Sequence, residues 1–259
     1  MRLHVHEWGP ADAPPVVCVH GVSAHGRRYR KLAEERLAAR FRVLAPDLRG
    51  HARSAYDPPW NLETYLGDLL ETLDDVGSAA WVGHSFGGRL VLELAAREPQ
   101  RIRCAALLDP AIQILPHVGL DFAQSAARDT SYASADEAID ARLESGSPTP
   151  RSFLEEEARE HLALSSDGRL RWKSCRAAVA TVYGELCRKP PPPTVLAGIP
   201  VLLVHASHFG LVRAEQLAEY ERELGDTLEL VGVHGGHVVY WDAYEETADA
   251  VESFLVRHA

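Results

Sequence analysis

Cysteine is scarce in this chain. Only four occur in 259 residues, and no two form a C-x-x-C pair. Cys18 and Cys104 sit inside apolar runs, where a free cysteine behaves as a small hydrophobe. A chain of this length needs no disulfide or metal staple to support its core. Four reduced thiols therefore point to a cytoplasmic protein. Basic residues are also in short supply: 27 Lys and Arg stand against 37 Asp and Glu, a net charge of −10. That balance disfavours nucleic acid and anionic membrane as partners, since both reward a basic face. No window approaches the roughly 18 apolar residues of a membrane span. The opening Met1-Arg2-Leu3-His4-Val5-His6-Glu7 lacks the apolar stretch of a secretion signal. Neither G-x-G-x-x-G nor a P-loop is present, so no nucleotide and no other cofactor is expected. His4-x-His6 and His205-x-x-His208 lack a third ligand at a familiar spacing, so no metal is expected either. What remains is an ordinary globular composition, 46% hydrophobic and 25% charged. It suits a monomer or homodimer acting on a small molecule.

Short apolar runs alternate with turns and helical patterns, the rhythm of a mostly parallel sheet flanked by helices. Strands are predicted at Leu3–Trp8, Val16–His20, Phe41–Ala45, Ala79–Val82, Arg103–Leu108, Val201–His205 and Leu228–Val233. Helices are predicted at Tyr29–Leu37, Leu62–Val76 with Asn61 as N-cap, Phe86–Arg97, Ala214–Leu224 and Ala243–Arg257. The rhythm breaks between about Ala111 and Pro193, where no strand is convincing. Ser134-Ala-Asp-Glu137 and Ser152-Phe-Leu-Glu155 have capping-box spacing, so helices should begin near both. Ser174–Leu186 also reads as helical, and Pro190–Pro193 reads as an extended return linker. The fold class is thus α/β, with residues 1–110 and 194–259 forming the core and 111–193 a helical insertion.

The strongest chemical signal is Gly83-His84-Ser85-Phe86-Gly87, followed by Gly88. It fits G-x-S-x-G and lies between a strand and a helix. A serine on such a sharp turn needs small residues two before and two after it, and Gly83 and Gly87 meet that need. The turn would lift the Ser85 hydroxyl above the sheet, at a helix N-terminus that favours developing negative charge.

This motif is joined by His20-Gly21 after one strand, Asp47-Leu48-Arg49-Gly50-His51 after the next, and Gly235-Gly236-His237 near the end. In order and spacing the set resembles the α/β-hydrolase superfamily along nearly the whole chain. The resemblance implies an α/β-hydrolase fold with a helical cap at 111–193. It implies Ser85 as nucleophile and His237 as its base, with His234 as the fallback. It implies an oxyanion hole from the backbone N–H groups of Phe86 and Val22. Asp47–His51 is mainly a structural loop in that superfamily.

One feature departs from the pattern. Most relatives carry an aspartate just after the strand that here is Val201–His205, and Phe209 stands at that place. Some members, among them haloalkane dehalogenases with a relocated acid, take it from the strand end where this chain has Asp109. Asp109 is therefore the expected third member, ahead of Asp226 and Asp242. His25, Trp60, His117, Trp172 and Tyr183 are candidates to line the pocket under the cap.

The expected activity is hydrolysis of a small-molecule ester or related acyl bond through an acyl-enzyme, by a carboxylesterase-like serine hydrolase. The same residues could serve a C–C bond hydrolase, lactonase, perhydrolase or acyltransferase. The loss of the usual aspartate also leaves room for a non-catalytic ligand-binding protein on this scaffold.

Overall fold

A computed structural model describes residues 1–259. Seven strands form the main sheet: β1 (Val5–Trp8), β2 (Pro15–Val19), β3 (Arg42–Pro46), β4 (Ala79–His84), β5 (Ile102–Leu108), β8 (Val201–Ala206) and β9 (Leu228–Val233). Their spatial order is β1-β3-β2-β4-β5-β8-β9, with β1 antiparallel to β3 and every other pairing parallel. The seven expected strands all occur, within a few residues at the ends.

Alternate residues of the central strands feed two separate cores. Val17, Val19, Trp81, Leu107 and Leu203 face the helices α2 (Leu62–Thr72), α3 (Phe86–Arg97) and α8 (Ala214–Leu224). Val16, Cys18, Val82, Leu108 and Val204 face the opposite way. There they meet the helical segment from Gly26 to Leu37 and the C-terminal helix (Tyr244–His258). Both faces of a parallel sheet are covered in this way, which is why its strands read as nearly continuous apolar runs. Asn61 caps α2 as expected, its side chain accepting the Thr64 N–H.

The segment expected as one helix from Tyr29 to Leu37 is wound unevenly. It runs through a 3-10 turn (Gly26–Tyr29), a short α turn α1 (Arg30–Leu32) and a π turn (Ala33–Leu37). The insertion between β5 and β8 holds α4 (Pro116–Ala127), α5 (Ala135–Glu144), α6 (Arg151–His161) and α7 (Arg176–Glu185). Four of its details correct the sequence expectations. A two-stranded hairpin, β6 (Leu162–Leu164) with β7 (Leu170–Trp172), lies where no strand was expected. Three-residue strands are too short to show a period of two. Helix α4 opens on Pro116, a start signal with no capping box to mark it. Ser134 caps α5 by accepting the Glu137 N–H, but Ser152 caps nothing, because α6 begins one residue before it behind Pro150. Pro193 is not extended. It opens a 3-10 turn, Pro193–Leu196, since proline's fixed φ suits a first helical position.

The insertion is tied to the rest of the chain by a buried charge cluster. Glu157 of α6 accepts hydrogen bonds from Arg28 Nε at 3.0 Å and from Arg28 Nη2, and lies 2.9 Å from His25 Nε2. Arg28 also stacks over Trp241, whose indole N–H donates to the Arg28 carbonyl. Burial pushes the Glu157 carboxyl up, but the charges and hydrogen bonds of Arg28 and His25 outweigh it. They hold the group well below the ordinary glutamate range.

Tight backbone contact shapes the turn between β4 and α3. A Cβ on Gly83 would lie 2.6 Å from the Gly87 carbonyl oxygen, and one on Gly87 would lie 2.0 Å from the Val19 oxygen. Only hydrogen fits at either place. Gly87→Ala is expected to lower stability by about 3 kcal/mol or more. Gly67→Ala in α2, where nothing lies within 4 Å, should instead raise it by about 0.5–1 kcal/mol. Urea melts of the two variants check this pair.

Removing Glu157 strands a buried guanidinium. Glu157→Ala should cost about 3–5 kcal/mol in the same assay, and Arg28→Met with Glu157→Met together much less. The folded pKa is depressed, so the stability that Glu157 confers is complete above its unfolded value. It declines as pH falls below the unfolded value and is gone below the lower folded value. The stability gap between wild type and Glu157→Gln should stay constant from about pH 8 to about pH 5 and narrow below that.

Candidate active site

The parallel register of β4 and β5 sets His84 opposite Leu108, so the next residues of the two strands, Ser85 and Asp109, emerge side by side. Both have positive φ, +52° and +40°, which L-residues rarely adopt. Backbone hydrogen bonds hold them there. Ser85 N–H donates to the Leu108 carbonyl at 3.1 Å, Asp109 N–H to the Val204 carbonyl at 2.7 Å, and Ala111 N–H to the Ser85 carbonyl at 3.0 Å. Ser85 occupies the N-cap of α3, but its hydroxyl makes no capping bond. The hydroxyl is therefore not committed to a structural role.

Asp109 is fully buried. Its Oδ1 accepts the Ala206 N–H at 3.2 Å, and its Oδ2 lies 2.6 Å from His237 Nδ1. A carboxylate can only accept, so Nδ1 carries the proton, and Nε2 of the neutral ring is left as an acceptor. Asp109 and His237 therefore lie in direct contact. The weaker acids lie elsewhere. Asp242 accepts from Thr149 Oγ1 at 2.6 Å and from the Val238 N–H at 3.0 Å, and Asp226 sits in a 3-10 turn before β9. His234 pairs with His208 at 3.2 Å and not with either acid. Phe209, at the place where an aspartate is usual, stacks on the His237 ring with centroids 5.1 Å apart.

His84 adds a contact that its sequence neighbours did not announce. Its Nε2 donates to the His237 carbonyl at 2.9 Å, and the two rings lie 4.6 Å apart. Burial, with the charge of His237 beside it, pushes the His84 pKa well below the ordinary value. The ring therefore stays neutral, and its Nδ1 has no partner.

Phe86, fully buried, is the first residue of α3, so its N–H is one of the unpaired donors at that helix end. Val22 lies on the loop after β2, and this loop is shaped from two sides. A Cβ on Gly21 would come within 3.0 Å of Ser85 Cβ. Ser23 N–H donates to His51 Nε2 at 3.3 Å, while His51 Nδ1 faces the Arg49 carbonyl at 2.9 Å. Burial holds the His51 pKa down to about 4, so the ring stays a neutral acceptor.

A cavity of about 260 Å³ lies between the insertion and the Val22 loop. Of the five residues expected to line a pocket, Trp172 does so. His25 instead pairs with Glu157, Trp60 packs near Gly50 against α7, His117 is exposed on α4, and Tyr183 stacks on Phe122. The cavity is lined instead by Ser23, Tyr132, Arg142 and Glu157 among others. Arg142 and Glu157 lie on helical faces of the insertion, where polar residues look like ordinary solvated positions in sequence.

The absence of a metal was expected, yet a third potential ligand does come near the N-terminal histidine pair. Antiparallel pairing sets Asp47 beside His4 and His6, with candidate ligand atoms within 4.8 Å of one another. Asp47 is already engaged there by the Gly26 N–H at 2.8 Å and by the Arg53 N–H at 3.2 Å.

Comparison with known proteins places this geometry. The family model of the alpha/beta hydrolase fold matches residues 14–244. The chain is 33% identical to lipase LipV of Mycobacterium tuberculosis, across 98% of this chain and 97% of that protein. It is 31% identical to the pimeloyl-[acyl-carrier protein] methyl ester esterase of Methylococcus capsulatus, across 77% of this chain and 71% of the relative. Among solved structures, E-2-(acetamidomethylene)succinate hydrolase superposes with a TM-score of 0.84 at 26% identity, covering 98% of this chain and 95% of the other. The chain belongs to the alpha/beta hydrolase fold family.

Proposed function

We propose that this protein is a serine hydrolase that cleaves a small-molecule ester or related acyl bond. The observation that carries the reading is the 2.6 Å contact between Asp109 Oδ2 and His237 Nδ1, made beside a serine in a positive-φ turn. Family membership and the lipase and esterase names of relatives support the hydrolase class.

In this reading Ser85 Oγ attacks the acyl carbon while His237 Nε2 takes its proton. Asp109 holds the ring in the Nδ1–H tautomer and stabilises the imidazolium that forms. The negative charge that develops on the carbonyl oxygen meets the N–H groups of Phe86 and Val22, at the N-terminus of α3. Collapse of the tetrahedral adduct expels the alcohol, which leaves with the proton held by His237. Water then gives its proton to His237 and attacks the acyl-enzyme. Serine is regenerated and the acid released, so ester plus water becomes acid plus alcohol.

The domain reading follows the same line. Residues 111–193 act as a cap over a core of 1–110 and 194–259, and the cavity between them receives the substrate. Four unpaired cysteines fit a cytoplasmic setting. No helix of the chain is long and apolar enough to cross a membrane.

Two measurements test the proposal. Wild type should hydrolyse short-chain p-nitrophenyl esters and be labelled by a fluorophosphonate probe, and Ser85→Ala should do neither. Folded wild type that resists labelling would sink the reading, leaving a ligand-binding protein in its place. Asp109→Asn should lower kcat by on the order of 10⁴-fold, because an amide favours the wrong histidine tautomer. Asp242→Asn should fall far less. The reverse ranking would move the acid role to Asp242.

A further inference from the structure

The cavity between the insertion and the Val22 loop has a charge opposite to that of the protein. The chain carries a net −10. Yet Arg128, Arg142, Arg171 and Arg176 line this space against only two carboxylates, Asp129 and Glu157. Both carboxylates are already taken. Asp129 binds Arg171 at 2.8 Å and Arg176 at 3.3 Å, and Glu157 holds Arg28 and His25. Asp167 also engages Arg171, at 2.9 Å.

Arg142 and Arg128 have no such partner, and of the two Arg142 lies against Trp172. The Arg142 guanidinium makes no ion pair and no hydrogen bond within the protein; its backbone carbonyl accepts from Ser145 Oγ and from the Ser147 N–H. It rests over the Trp172 ring with 6.0 Å between guanidinium carbon and centroid. Arg142 is solvent-exposed and lines the cavity. Its fork of donors is free to pair with a bound anion.

The loop after β2 runs between the cavity and Ser85. Ser23 lines it, and Gly21, two residues earlier, packs against Ser85. Two residues of chain span at most about 7 Å. An acyl compound whose carbonyl sits at Ser85 can therefore place a second group a few bonds away in the arginine-lined space.

We infer that Arg142 recognises a carboxylate on the substrate, so that the preferred substrate is an anionic acyl compound and not a neutral ester. The inference rests on the serine-hydrolase reading for the word substrate, and on the cavity alone for the anion site. The planar guanidinium fork of Arg142 matches the two oxygens of a carboxylate.

The test compares p-nitrophenyl valerate with mono-p-nitrophenyl glutarate, which differ only in the terminal carboxylate. Wild type should prefer the glutarate half-ester in kcat/KM. In Arg142→Gln the ratio of the two kcat/KM values should fall about tenfold or more, with Arg142→Lys between, since an ammonium keeps the charge but not the fork. An unchanged ratio in Arg142→Gln, or a wild type that prefers the valerate, overturns the inference. Should wild type cleave neither ester, the hydrolase reading fails, and calorimetry with glutarate and inorganic phosphate reads the anion site by itself. Glutarate binding to wild type that is lost in Arg142→Gln supports the site. Absent binding, equal binding by the variant, or a preference for phosphate overturns it.

Discussion

The parallel register between β4 and β5 is the constraint on which the site depends. It delivers Ser85 and Asp109 to adjacent strand ends in one step. Each sits at positive φ, a conformation that costs of order 1–3 kcal/mol for a residue with a side chain. The surrounding hydrogen bonds over-determine it. The Leu108 and Val204 carbonyls hold the two N–H groups, and the Ser85 carbonyl holds Ala111. With the backbone locked, the Asp109 carboxylate spans from the end of β8 to His237 without any help from the loop that carries Phe209. The position left vacant by the usual aspartate is filled by a ring that stacks on His237. The carboxylate that meets His237 thus comes from the end of β5, the strand next to β8 in the sheet.

Polar groups beneath the insertion divide into satisfied and unsatisfied sets. Glu157, Arg28 and His25 form a closed, buried cluster in which each charge is answered. That closure locates α6 over the sheet. Arg142, on the neighbouring α5, faces the same space without an answer. Low-dielectric surroundings strengthen the paired cluster. Arg142 is exposed and keeps its donors free.

Much of the core was legible because its cause is local. Buried parallel strands write themselves as apolar runs, and alternate residues such as Val16 and Val17 serve opposite faces. Gly83 and Gly87 were legible for a related reason. Backbone atoms approach so closely that no other residue fits, and this marks the turn in any sequence that makes it. The insertion was read less well. Its hairpin has three residues a strand, its first helix starts on a proline, and Ser152 imitates a cap inside a helix that has already begun. Such elements are decided by the surface they rest on more than by their own pattern.

The sequence by itself determined that a serine would stand on a sharp strand-to-helix turn, because spacing and residue size along one stretch of chain suffice for that. It also named Asp109 and His237 as candidates, through a resemblance that covers nearly the whole chain. Only the tertiary structure decided that their side chains meet at 2.6 Å, that His84 braces the His237 backbone, and that His234 turns to His208 instead. It alone brought Arg142 and Trp172 from two parts of the insertion to one cavity beside Ser23. The physical reason is separation. Asp109 and His237 are 128 residues apart along the chain, and no local pattern records which partners a strand end or a helix face will find across such a distance.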